Sequence, residues 1–262
     1  MSTMINIEQR QERYRRFYQS YQPGQLLIIC SYAGGPPAQA VDFLQYDFTQ
    51  LSEHQRYWDV LIENALISIA DRTDLNDDWM PGIEAHYGFG SLGAVYSDAA
   101  LTFTDTTSYI EPALERLEDV DALDLARERF WARVFVDVAR YLSEKSERRF
   151  LVSAYPNPSP LDVANLLRGN AIFTDVYEQP ELFQRLLQRC LAGAIANMRR
   201  ILQAIHNPGG GTLAFNRWIP QGAVLLEDAA DLISPKLYRE IGLPYTQRMI
   251  DDAGGAYLHH HS

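Results

Sequence analysis

In the second half of this chain, short apolar runs alternate with helices that begin at proline. That alternation constrains the fold more than any other feature. Ser159-Pro160, Gln179-Pro180 and Ser234-Pro235 each place proline at the first helical position, where its missing N–H is not needed. The helix from Pro180 keeps Phe183, Leu187, Leu191, Ala194, Met198, Ile201 and Ile205 at three- and four-residue spacing, the period of one buried helical face. Leu243-Pro244 interrupts the helix begun at Pro235 and starts another turn or two, and Gly254-Gly255 closes it. Between the helices lie RFLVSAY (149–155), TLAFNRW (212–218) and a run from Ala256 through Tyr257 and Leu258 to His259, each read as a strand. Strands alternating with helices predict parallel βαβ units, hence a TIM barrel or a doubly wound sheet.

The first half is less regular. A polar helix is expected over 5–20, stopped by Pro23-Gly24. Leu26-Leu27-Ile28-Ile29-Cys30 has the length and branching of a buried strand. Residues 53–72 carry a helical apolar stripe from Tyr57 to Ile69. Residues 73–120 read as a long, glycine-rich insertion with short strands, including Ala99-Leu101-Phe103, and 122–143 read as a long helix. About five core strands can be counted, where a TIM barrel has about eight. The chain also stops inside a strand, at His261-Ser262. The expected architecture is therefore one α/β domain over 1–262, a TIM (β/α)8-type barrel incomplete at its C-terminal end and truncated from a longer protein. An open barrel would expose strand edges, so either poor solubility or homodimerisation through the gap is expected.

Composition narrows the partners. Lys plus Arg is 23 and Asp plus Glu is 34, a net charge of −11, which disfavours nucleic acid. No stretch approaches a transmembrane span. Cys30 and Cys190 are the two cysteines, too few for a disulfide framework. The expectation is a cytoplasmic protein.

Candidate chemistry collects in a few places. Gly88-Phe89-Gly90-Ser91-Leu92-Gly93 matches GxGxxG, but a loop-like run precedes it where the dinucleotide motif needs a strand, so it reads as a flexible loop. His86 lies in the same loop and is a candidate to face substrate. Glu227-Asp228 follows the apolar run 223–226. An acid at a strand end is a general-acid position in a barrel, and adjacent acids point opposite ways, so at most one of the two faces a site; the alternative is that both lie at the start of an acidic loop with Asp231. Arg217 and Trp218 offer a guanidinium and a flat surface to a ligand, or cap the barrel structurally. In His259-His260-His261 the first and third share a strand face and can bind one divalent metal, most readily zinc. A third ligand would come from Glu227, Asp228 or sequence beyond the chain. Non-metal pocket lining and an expression-tag remnant are the other sources of this triplet.

The segment LLEDAADLISPKLYREIGLPYTQRMIDDAGGAYLHHHS resembles the uroporphyrinogen decarboxylase superfamily, in which SP-x-x-[YF]-x-x-[FI]-x-x-P-[YF] leads to a strand carrying H-x-C-G. PNPSPLDVANLLRGNAIFTDVYEQPELFQRLLQ is similar to an upstream segment of the same family. The resemblance covers 150–262 well and 1–149 loosely. It implies a (β/α)8 barrel. The family that the chain resembles includes haem-pathway decarboxylases, zinc-dependent methyltransferases that work with a corrinoid carried by a partner protein, and many members of unknown activity. The family's carboxylate-binding arginines fall on Ser31 and Gly35, its essential aspartate near Gly88, its tyrosine on Ala164 and its serine on Asp228. Those departures weigh against uroporphyrinogen as substrate. In the methyltransferase branch the H-x-C pair holds zinc; here it falls on His259 and His261. The expected function is a zinc-dependent methyltransferase acting with a corrinoid or small thiol. Zinc would sit on His259 and His261, Asp228 and Glu227 would be catalytic, and Arg217, Trp218, His86 and Tyr32 would contact substrate. Decarboxylation of a carboxylated substrate, or ligand binding without turnover, are the alternatives.

Overall fold

A computed structural model describes residues 5–30, 39–155 and 157–260. In chain order the elements are α1 (Ile7–Gln19), α2 (Leu51–Asp71), β1 (Gly82–Ile83), α3 (Gly90–Ala94), β2 (Leu101–Phe103), β3 (Ser108–Ile110), α4 (Phe130–Lys145) and β4 (Leu151–Val152). They continue with α5 (Pro160–Arg168), α6 (Ile172–Glu178), α7 (Pro180–Ala204), β5 (Thr212–Ala214), β6 (Arg217–Ile219), β7 (Ala223–Leu226), α8 (Pro235–Leu237), α9 (Leu243–Ala253) and β8 (Ala256–His259). The proline-started helices form as their caps dictate. Ser159 Oγ accepts the Asp162 N–H at 3.1 Å, and Ser234 Oγ accepts the Leu237 N–H at 3.2 Å. A π turn over Tyr238–Gly242 joins α8 to α9, and Gly254 caps α9 at φ 72°.

The described strands form no continuous barrel wall. Among the described residues the strands are two to four residues long and pair in twos: β1 with β4 and β7 with β8 in parallel, β2 with β3 and β5 with β6 antiparallel. Side chains bridge the gaps that backbone ladders would fill. Asn207 Oδ1 accepts the Val152 N–H at 2.7 Å, Thr212 Oγ1 accepts the Ala154 N–H at 2.7 Å, and Ser153 Oγ donates to the Leu213 carbonyl at 2.7 Å. The chain just after β4 runs beside β7, with Leu226 N–H on the Asn157 carbonyl at 3.0 Å. The result is a discontinuous parallel arc: β1, β4, then β7 and β8.

Four sequence expectations need correction. Residues 26–30 are not a buried strand: Leu26 is 75% and Ile28 57% exposed. Their backbone is held instead by aspartate side chains, with Ile28 N–H on Asp78 and Cys30 N–H on Asp77. TLAFNRW is not one strand. Phe215 (φ 46°) and Asn216 (φ 58°) both take left-handed conformations, the geometry of a two-residue hairpin turn, and fold β5 back on β6. The GxGxxG run is no flexible loop, since α3 is buried along its length. A Cβ on Gly90 would lie 2.5 Å from the Tyr109 backbone, so glycine there allows the β2–β3 hairpin to rest on the helix. The 73–120 stretch also contributes β1 to the parallel arc. The helix expected over 122–143 starts only at Phe130.

The main core lies between the arc and the helices, where α4, α5 and α7 bury Phe135, Leu142, Val163, Leu187, Met198 and Ile201. An aromatic cluster closes its other end. His54 sits between the Tyr87 hydroxyl (3.0 Å) and the Phe48 carbonyl (2.9 Å), and Trp58 Nε1 donates to that same hydroxyl. The carbonyl can only accept, so Nε2 carries the proton and Nδ1 accepts from Tyr87. Burial holds the His54 pKa below the ordinary imidazole value. Stability from the neutral ring is therefore full above the unfolded pKa of about 6.5 and is lost as pH falls through the folded value. The melting temperature should drop on acidification from about pH 7 to about pH 5, and less in His54→Gln. Equal slopes for the two proteins would remove His54 as the cause.

Candidate functional site

Strand alternation decides which side chains meet. On β7, Ala223 and Leu225 join the core under the helices, whereas Val224 packs on the other face with Ala214 and Ile219. The period of two carries past the strand end, so the adjacent acids diverge. Glu227 enters the helix layer. It is fully buried and accepts from Ser159 Oγ (2.7 Å), Thr246 Oγ1 and Tyr238 OH (3.2 Å). Burial raises its pKa, and the three hydroxyls pull it back. Asp228 is left on the inner face. Its N–H and that of Ala229 bond to the Asp162 carboxylate at 3.0 and 2.7 Å, so the first turn of α5 fixes the bend that carries Asp228.

The same alternation sorts the histidines. His259 faces inward with Tyr257, and both rings pack on Phe215, at 5.0 and 5.9 Å between centroids. His260 faces the helix layer, 3.3 Å from Asp231 and beside Tyr238. His261 lies outside the described residues, as does Tyr32. Among the described residues no group of three or more His, Cys, Asp or Glu gathers to hold a metal. Glu227, one of the third ligands considered from sequence, points away from His259 into the helix layer.

Two inner-face residues escaped the sequence reading. Glu84 follows β1 directly. It is half-buried and its carboxylate accepts the Phe215 N–H. Burial raises its pKa, while the Phe215 N–H and Arg217 draw it down. Tyr155 lies just beyond β4, with a pKa pushed up to about 12 by burial and by the nearby Glu84 and Asp228 carboxylates. Glu84 was hidden because Pro81-Gly82 reads as a turn, while Tyr155 was in plain view at the end of RFLVSAY. Period-two alternation along RFLVSAY would have found Tyr155, whereas no strand legible in the sequence leads to Glu84. Glu84, Tyr155, Asp228 and His259 thus stand at the C-terminal ends of the parallel strands, where open α/β folds place ligands. Together they offer two carboxylates, a phenol that stays protonated at neutral pH, and an imidazole.

The other candidates are placed differently. Arg217 is exposed and near enough to Glu84 to lower its pKa. Trp218 is 1% exposed, donates its indole N–H to the Gly210 carbonyl at 2.9 Å and carries the Arg15 guanidinium on its ring. That is the structural alternative allowed from the sequence. The His86 side chain is exposed beside Phe43, and its carbonyl accepts from Tyr57 OH at 2.6 Å.

No protein-family model matches this chain, and neither does any curated protein. Solved structures do match. A methyltransferase from Methanosarcina mazei superposes with a TM-score of 0.62 over 97% of this chain and 70% of its own, at 13% sequence identity. The two share a fold. No helix of the described residues is long and apolar enough to cross a membrane.

Proposed function

We propose that this chain is a methyl-transfer enzyme of the uroporphyrinogen decarboxylase-like kind, passing a methyl group between a corrinoid on a partner protein and a small thiol. The observation that carries the reading is the placement of Asp228 and His259 at the ends of the paired parallel strands β7 and β8, in a fold shared with a methyltransferase. His259 and His261 would hold zinc, which when bound favours the thiolate form of a thiol. Asp228 would take the thiol proton as the sulfur–carbon bond forms and the bond from methyl to donor breaks. Tyr155, protonated, would donate a hydrogen bond to the substrate. Arg217 would contact an anionic edge of it. Glu227 would hold the strand end in place through its three hydroxyl partners.

Decarboxylation is the second reading. It is favoured by the raised pKa of Glu84, which suits a residue that protonates a carbanion. Zinc analysis separates the two. Methyl transfer predicts near-stoichiometric zinc that falls in both His259→Ala and His261→Ala, together with methylation of a thiol by free methylcobalamin that needs the metal. Absence of zinc from the unmodified protein would end the methyltransferase reading. It would leave a metal-free decarboxylase or a binding barrel.

A further inference from the structure

A cavity of about 550 Å³ opens between the 46–49 turn, β2 and the start of α4. The rings of Tyr46, Phe48, Phe103, Phe130 and Trp131 line it. Among the described residues Asp47 is the one charged side chain on its lining. The Asp47 carboxylate is exposed and fixed at the rim. It accepts the Thr49 N–H at 3.1 Å, the Thr49 hydroxyl at 2.6 Å and the Gln50 carboxamide at 2.6 Å. Those three donors hold its pKa below the ordinary carboxylate value, and no cation among the described residues contributes.

The nearby cations are balanced by other acids. Arg56 stacks over the Tyr46 ring at 4.1 Å, but Glu53 holds its guanidinium at 2.6 Å. The Glu53 carboxylate in turn feels Asp47, so two carboxylates meet one guanidinium on this side. Beyond Ala100 and Phe130, Arg129 sits among Asp98, Asp124 and Arg127, two cations against two acids. The charge of Asp47 is left over.

We propose that this cavity binds a small quaternary ammonium compound, its methyl groups among the rings and its charge answered by Asp47. Aromatic rings attract such a cation through their electron-rich faces. A primary ammonium would need hydrogen-bond acceptors that rings do not supply, and Asp47 already receives three donors. A quaternary nitrogen needs none. An uncharged molecule of the same shape would keep the apolar contact and lose the charge term. The cavity shares no lining residue with Glu84, Tyr155, Asp228 and His259, so the inference stands apart from methyl transfer.

Calorimetric titration of the intact chain with choline and with 3,3-dimethylbutan-1-ol, which puts carbon in place of the nitrogen, tests the site. Choline should bind at least about tenfold more tightly, a difference of about 1.4 kcal/mol. Asp47→Asn keeps an acceptor for Thr49 and should shrink the preference. Phe130→Leu, at a ring that is 45% exposed, should shrink it as well, and reads the ring contribution even if Asp47→Asn does not fold. Ala100→Trp, at an exposed rim position, should abolish binding by filling the cavity. Equal binding of the two probes, or no binding of choline, would overturn the proposal. So would a preference unchanged in both Asp47→Asn and Phe130→Leu, or choline binding that survives Ala100→Trp.

Discussion

Asp77→Ala should destabilise this protein by about 3–5 kcal/mol, the cost of breaking a buried ion pair from one side. The Asp77 side chain is 3% exposed and meets two guanidinium groups, Arg72 at 2.5 Å and Arg10 at 3.4 Å. Both arginine side chains are at least nine-tenths buried. The same carboxylate accepts the Cys30 N–H at 3.0 Å. Truncation leaves two buried cations facing mainly carbonyls and frees the segment leading from α1. The neighbouring pair sets the scale. Arg13 lies 2.5 Å from Asp78, but its side chain is 33% exposed, so solvent screens that pair and it contributes less. Urea unfolding should show Asp77→Ala well below Asp78→Ala. A loss under about 1 kcal/mol for Asp77→Ala, the range of a surface pair, would refute the buried-cation argument.

Asp228→Asn should lower turnover by about 10²–10⁴-fold, the usual contribution of a positioned acid or base. The fold should survive, because the bend around Asp228 is held through its backbone N–H on Asp162, which the substitution leaves in place. The zinc content should stay at the unmodified level if the residue only moves a proton. Loss of zinc together with activity would instead make Asp228 a metal ligand. Full activity in the variant would remove it from the mechanism. Glu227→Gln offers the contrast. Its three hydroxyl donors would lose a charged acceptor in a fully buried place, so it should show in stability before it shows in turnover.

The local elements of the second half were legible in the sequence because their causes are local. Proline and serine at a helix start act within one turn, and the Pro180 helix shows its buried face in its own spacing. The divergence of Glu227 and Asp228 was also legible, since neighbouring side chains on a strand must part. Which acid faces inward was not. That follows from how β7 pairs with β8 and from what lies on each side, and both partners are remote in sequence. TLAFNRW has the composition of a strand, yet Phe215 and Asn216 turn it back. Their backbone is held from outside, by Glu84 on the Phe215 N–H and by Met80 on the Asn216 carbonyl.

The sequence by itself determined the helix starts, the parallel strand–helix rhythm and the acids and histidines at the strand ends, because each depends on neighbours a few residues away. Only the tertiary structure decided that residues 26–30 hang on aspartate side chains, that the arc is discontinuous and that Glu84 and Tyr155 join Asp228 and His259. Those outcomes depend on long-range pairing, where a side chain such as Asp77, Thr212 or Asn207 competes with a backbone ladder for the same N–H groups, and no local pattern records which one wins.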